Sequence, residues 1–318
     1  MDPLSDVLSL LKPRSYITAG FDAGGDWAIG FDGMVGKIKC YALSHGACWL
    51  QVEGVDDPVR LLAGDCFVLP TGRSFRLASD LNLEPVAAGV VFAPARRGGV
   101  LTYNGGGDLF LVGSRFEVSG RHAEVLLRTM PPIVHIEASS DQDALRWSID
   151  RMMLELREDR PGVELMVQHL AHMMLVQALR LHLSGPLEGE SGWLLALSDP
   201  RMSTAIKAMH ADPAHPWTLE ELANRTGMSR SVFAQRFREK VGETPIKYLT
   251  RWRMMLAADR LSHGRDSLAQ IAAALGYESE NAFNTAFKRV MGCSPRRHAR
   301  AEGALVSQSC DVGASIEA

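Results

Sequence analysis

Lys and Arg are the side chains whose placement most clearly implies a chemistry in this 318-residue chain. Residues 193–300 hold 17 of them against 10 Asp and Glu, a net of +7, while residues 1–192 hold 17 against 24, a net of −7. The overall charge of −3 hides this division. Clustered cations bind phosphates by releasing their counterions, so a basic domain beside an acidic one is the electrostatic footprint of a nucleic-acid binder. Other chemistries lack their residues. The five cysteines, at 40, 48, 66, 293 and 310, form no CxxC pair and are odd in number, which argues against a disulfide framework or a zinc ribbon. They read as buried apolar thiols.

The elements that must position the cations are legible as an internal repeat. Leu219, Ala223 and Gly227 recur 49 positions on as Leu268, Ala272 and Gly276, and Ser229, Phe233 and Phe237 recur 50 positions on as Ser279, Phe283 and Phe287. Thr218 with Glu221, and Ser267 with Gln270, have the spacing of a capping box that opens a helix. Ala223 and Ala272 are small where a second helix must cross closely. Gly227 and Gly276 can take the left-handed conformation that ends a helix. Ser229 and Ser279 suit the N-cap of the next helix. The Phe residues in each unit lie four apart and share one helical face. Each unit is therefore a helix-turn-helix, whose second helix enters the DNA major groove. Between them, Ile246, Leu249, Trp252, Met255, Leu256 and Leu261 recur at helical spacing after Pro245. This predicts a rod of about 18 residues, ~27 Å long, able to hold two recognition helices about one DNA turn apart.

With these motifs the segment 200–300 resembles the AraC/XylS family of bacterial transcription regulators. The resemblance rests on residues 217–223 (WTLEELA), 242–245 (GETP), 276–279 (GYES), 286–289 (AFKR) and 292–295 (GCSP). It departs after Ser294-Pro295, where Arg296-Arg297-His298 stands in place of an aromatic and Arg. The resemblance implies that Ser231, Ala234 and Gln235 read bases from the first recognition helix, and Glu280, Asn281, Asn284 and Thr285 from the second. Gln and Asn can pair bidentately with adenine, and Glu can accept from cytosine. Arg230, Arg236, Arg238, Lys288 and Arg289 are expected on phosphates, which position without specifying.

Residues 1–135 are Gly-rich, with short alternating runs. Lys37–Val52, Val59–Val68, Ser74–Ala78 and Leu109–Val118 read as strands of a sandwich or barrel. The period changes near Asp141, and two amphipathic helices follow, the second ending near Leu183. They could pack on the β-domain or pair with a second subunit. Residues 64–72 (GDCFVLPTG) resemble the second cupin motif, and 40–54 look like the first. Enzymatic cupins carry metal-ligating His and Glu there, but here Phe75 occupies the second motif's His position, Tyr41 stands near the first, and His45 is isolated. In regulators of this family the barrel usually binds a small effector and helps dimerise the protein. A mouth lined by Tyr41, Trp49, Phe67, Arg73 and Phe75 would suit an organic ligand with an anionic end.

The composition, 46% hydrophobic and 22% charged, is that of a folded globular protein. The fold class expected is multidomain α+β, with a cupin-like effector and dimerisation domain over 1–183 and a linker at 184–192. An all-α DNA-binding domain with two helix-turn-helix units spans 193–300, and a disordered tail follows over 301–318. Expected partners are double-stranded promoter DNA, a small-molecule effector, RNA polymerase and a second copy of the chain. No cofactor, no metal, no enzymatic activity and no membrane are expected. The first residues lack the pattern of a signal peptide, so a cytoplasmic protein is expected. The alternative is a cupin-type metalloenzyme fused to a helical module.

Overall fold

The computed structural model describes residues 2–33, 36–93, 99–118, 127, 130–138, 143–158, 160–184, 192–263 and 266–300. The expected linker, apart from its two end residues, and the expected tail lie outside them. The chain divides into two compact units, one of Pro13–Val118 with Met130–Leu187, the other of Met1–Lys12, Ser119–Thr129 and Glu188–Ala318.

The first unit is built on eleven strands among its described residues. In chain order they are β1 (Arg14–Ala23), β2 (Ala28–Phe31), β3 (Lys37–His45), β4 (Ala47–Val52), β5 (Val59–Leu62), β6 (Cys66–Leu69), β7 (Phe75–Ala78), β8 (Val86–Ala87), β9 (Gly99–Tyr103), β10 (Leu109–Glu117) and β11 (Val134–Ile136). They form a six-stranded sheet, β11-β6-β3-β10-β1-β9, and a five-stranded sheet, β5-β4-β7-β2-β8. Period-2 alternation drives the packing. In β4, Cys48, Leu50 and Val52 are buried and their neighbours are not. Inward residues of both sheets, among them Phe21, Tyr41 and Phe67 from one and Phe31, Leu50 and Phe75 from the other, share one apolar core. This is the cupin architecture expected. Lys37–Val52 is two strands rather than one, because Gly46 turns the chain at φ +83°.

Two helices, α3 (Asp143–Glu158) and α4 (Val163–Ser184), pack on each other and on the larger sheet. They bury that sheet's other face, which explains why consecutive residues of β3 from Ile38 to Leu43 are all buried. Ser114 on β10 lies 3.9 Å from the Met152 sulfur of α3. The short α2 (Ala88–Val91) packs beside β2 and β8.

The second unit is helical. It contains α1 (Pro3–Leu11), α5 (Trp193–Ala196), α6 (Pro200–Ala211), α7 (Leu219–Arg225), α8 (Arg230–Val241), α9 (Pro245–His263), α10 (Leu268–Ala274) and α11 (Glu280–Met291). α1 is capped by Asp2, whose carboxylate accepts from the Ser5 N–H. Its apolar residues Leu4, Val7, Leu10 and Leu11 are buried, and it packs on α6 and α9. The apolar face of α1 packs residues 3–11 within the helical unit. No described helix is long and apolar enough to cross a membrane.

Candidate nucleic-acid interface

Each step of the repeat takes the form its residues require. Thr218 accepts from the Glu221 N–H while Glu221 accepts from the Thr218 N–H, and Ser267 and Gln270 repeat this capping box. Gly227 and Gly276 take φ +64° and +76° at the two turns. Ser229 and Ser279 cap α8 and α11 by accepting from the N–H groups of Val232 and Ala282. Phe233, Phe237, Phe283 and Phe287 are fully buried, with ring centroids 5.6 Å apart in the first pair and 5.8 Å in the second. α9 contacts α8, α10 and α11. Its 19 residues give a rod of about 28 Å that joins the two units.

Burying the phenylalanines leaves the opposite sides of α8 and α11 outward. Ser231, Gln235, Glu280, Asn281 and Thr285 are exposed, and Ala234 and Asn284 are half-buried. The Gln235 amide donates to Glu239 at 2.9 Å. The Thr285 hydroxyl donates to the Asn281 carbonyl at 2.9 Å, which leaves its methyl and the Asn281 amide for a ligand. Glu280 stands in the first turn of α11, where the helix dipole also favours a carboxylate.

All five cations expected on phosphates, Arg230, Arg236, Arg238, Lys288 and Arg289, are exposed on the same two helices. Arg236 is also held by an ion pair. Its Nε and Nη2 donate to one oxygen of Asp199 at 2.9 and 2.7 Å. Asp199 also caps α6 by accepting from Arg201 and Met202. Burial pushes the Asp199 carboxyl up, but Arg236 and these N–H groups outweigh it and hold the group below its ordinary value. Arg236 therefore ties α8 to α6.

Supporting groups that sequence reasoning did not single out fix the loop before α7. Arg253 donates from α9 to the carbonyls of Pro213, Ala214 and His215. Arg251 of α9 pairs with Glu243 at the start of the rod, both nearly buried. Their sequence signal is only that they are charges on a helix otherwise apolar at those turns.

In the β unit, the five residues expected at a barrel mouth separate. Tyr41, Phe67 and Phe75 meet between the sheets. Tyr41 stacks on Phe67 at 5.1 Å, Phe75 stacks on Phe31 at 4.4 Å, and Tyr41 meets Phe75 at 5.8 Å. Trp49 alternates with the inward Cys48 and Leu50 and so faces outward, under the guanidinium of Arg60, its cross-strand partner. Arg73 is exposed in the turn after β6 and donates to the carbonyls of Glu53 and Gly54. The cation that does enter the interior is Lys39, two positions before Tyr41 on β3 and 1% exposed. Its Nζ lies 4.5 Å from the Phe75 ring centroid and 3.3 Å from the Asp32 carbonyl. Burial, aided by Arg115 and opposed by Asp32, lowers its pKa to about 8. Strand alternation was the signal for it, since Lys39, Tyr41 and Leu43 share a face. Among the described residues no three His, Cys, Asp or Glu side chains converge as a metal site would need.

Comparison with known proteins bears on both units. A cupin family profile matches residues 2–184, and a helix-turn-helix domain profile matches 222–301. The chain is 45% identical, over 94% of its length and 99% of the relative's, to a protein of Streptomyces lividans named as an AraC-like transcription regulator. It is 32% identical, over 94% of its length and 99% of the relative's, to the HTH-type transcriptional regulator AlkR of Acinetobacter baylyi. It is also similar to the solved DNA-binding domain of AdpA in complex with a target DNA, at 31% identity, 35% of this chain, 99% of that one and a TM-score of 0.33.

Proposed function

The chain belongs to the AraC-like family of transcription regulators with a cupin domain, and from that membership we propose how this chain reads its DNA and what controls it. It is a helix-turn-helix DNA-binding regulator and not an enzyme. The metalloenzyme alternative has no support among its relatives. The observation that carries the reading is the pair of recognition helices, α8 and α11, held by one rod with their polar sides outward. In this reading they enter successive major grooves. Gln235, Asn281 and their neighbours Ser231, Ala234, Glu280, Asn284 and Thr285 face base edges, while Arg230, Arg238, Lys288 and Arg289 hold phosphates. DNA selected by the purified full-length chain tests this. A preferred sequence should emerge, and affinity should fall steeply with salt as counterions are released. Salt-insensitive binding, or no preferred sequence, refutes it.

The control element in this reading is a small molecule between the two sheets. Tyr41, Phe67 and Phe75 supply apolar contacts, and Lys39, mostly protonated at neutral pH, supplies the countercharge for an anionic end that Arg73 is too far outside to give. The ligand would act by binding the DNA-competent state better than the incompetent one, a coupling typically about 1–3 kcal/mol. A second copy would pair through α3 and α4, whose Trp147, Leu154, Leu165, Met166 and Met173 are exposed apolar side chains. The DNA-bound protein would then act on RNA polymerase.

A further inference from the structure

We propose that Val232 and its repeat partner Ala282 are specificity-determining residues that recognise the C5 methyl of thymine in the major groove. The proposal rests on the reading that α8 and α11 enter that groove.

Among the described residues of the helical unit, Val232 and Ile246 are the large apolar side chains left exposed, and Val232, at 52%, is the more exposed. Ile246 lies at the start of the rod, whereas Val232 lies in the first turn of a recognition helix. Ala282 stands 50 positions on and is also exposed. The match is structural as well as numerical. The N–H of Val232 is the one capped by Ser229, and the N–H of Ala282 is the one capped by Ser279. Both are therefore third in their helices after a serine cap.

That position is where a capping box places Glu or Gln, and this chain uses the device on the two preceding helices, with Glu221 in α7 and Gln270 in α10. Both recognition helices forgo it. Valine there is a poor helix former, and its exposure to water contributes nothing to folding. A carboxylate at the same place would meet the negative field of the DNA backbone. A small apolar group instead matches the one apolar feature that distinguishes a base edge in the major groove, the thymine methyl.

Val232 and Gln235 stand three positions apart, as do Ala282 and Thr285. Residues so spaced stand about 60° apart around the helix, with Cβ atoms about 5–6 Å apart. At ~3.4 Å per base pair, the thymine read by Val232 lies within one or two base pairs of the base read by Gln235.

The experiment starts from the DNA that the full-length chain selects and replaces each thymine in turn with deoxyuridine, which removes only the methyl group. The wild-type protein should lose about fourfold in affinity at one thymine in the segment read by α8, the worth of one buried methyl. Val232→Ala, which loses both γ-methyls but keeps the β-carbon that Ala282 presents, should shrink the sensitivity at that thymine and leave the others unchanged, with an unaltered melting temperature. Val232→Thr, which keeps one γ-methyl, should retain part of it. Indifference of the wild type to every such replacement, or sensitivity that is undiminished in Val232→Ala, overturns the inference. A loss of transcription without any change in DNA binding overturns it too, and assigns Val232 to a protein contact. If Gln235→Ala changes the selected sequence while Val232→Ala does not, the groove reading stands without the inference. If neither variant changes it, both fall.

Discussion

Gln235 illustrates how magnitudes sort the candidate base readers. Its hydrogen bond to Glu239 is exposed and spans one helical turn, a contact worth about 0.2–0.5 kcal/mol. A bidentate pair with adenine discriminates by about 1–3 kcal/mol, so DNA outcompetes the resting contact. Gln235→Ala or Asn281→Ala should relax preference at one or two base pairs by that amount. An unchanged selected sequence after either substitution refutes that residue's role. Arg236 sorts the other way. Its partner Asp199 is buried and caps a helix, so Arg236→Ala should cost about 1–2 kcal/mol of stability. Asp199→Ala loses the cap as well, a further ~1 kcal/mol, whereas Asp199→Asn keeps a capping side chain and loses only the charge. Melting temperatures should therefore fall least in Asp199→Asn and most in Asp199→Ala, and equal shifts would mean that the pair does not couple α8 to α6. Nothing in the sequence separates Arg236 from the other arginines of α8, because its partner stands 37 residues upstream.

At the scale of elements, the two helix-turn-helix units are equivalent in pattern but not in packing. Gly227 and Gly276 both hold positive φ, but an added Cβ at Gly227 meets open space, while at Gly276 it would stand 2.1 Å from the Ala214 carbonyl oxygen. Gly227→Ala should thus cost about 1–2 kcal/mol of backbone strain. Gly276→Ala adds overpacking of about 1–3 kcal/mol and should displace the loop that Arg253 holds. Denaturant unfolding of the two variants checks this, and equal costs would sink it. The caps, turns and phenylalanine pairs of both units are legible in the sequence because each depends on residues within a few positions of one another. The short strands β2, β8 and β11 and the one-turn helix α5 are not legible. They carry too few residues to establish a period, and they exist only because a neighbouring strand or α8 pairs with them.

At the scale of the molecule, the helical unit takes its first helix from the opposite end of the chain. Asp6 of α1 lies 3.3 Å from the His210 Nδ1, Tyr248 meets the Nε2 at 2.8 Å, and the ring stacks on Trp252 at 3.8 Å. Lys12 pairs with Asp259 at 2.7 Å. Burial lowers the His210 pKa from its usual 6.5, with nearby Arg251 acting in the same direction and Asp6 opposing it. A histidine depressed in the folded state contributes stability that is present above its unfolded pKa and is lost as pH falls through the folded value. The melting temperature should therefore decline as pH drops below about 6.5, and His210→Asn should flatten that decline. A decline of unchanged slope in His210→Asn would remove His210 as its cause.

What the sequence determined by itself is what local chemistry and periodicity encode. The chain's division into a strand-rich and a helical part, the capped and doubled helix-turn-helix, the length of the rod and the excess of cations all follow from residues close in number. Tertiary structure decided the matters that depend on which face of an element is covered and by what. It turned Trp49 outward and Lys39 inward, because a strand's two faces exchange with a shift of one residue. It engaged Arg236 with Asp199, and it gave α1 to the helical unit rather than to the strands that follow it in the chain. An amphipathic helix specifies that it must bury its apolar stripe, but not which surface will receive it, and that choice is made only when the partners have folded.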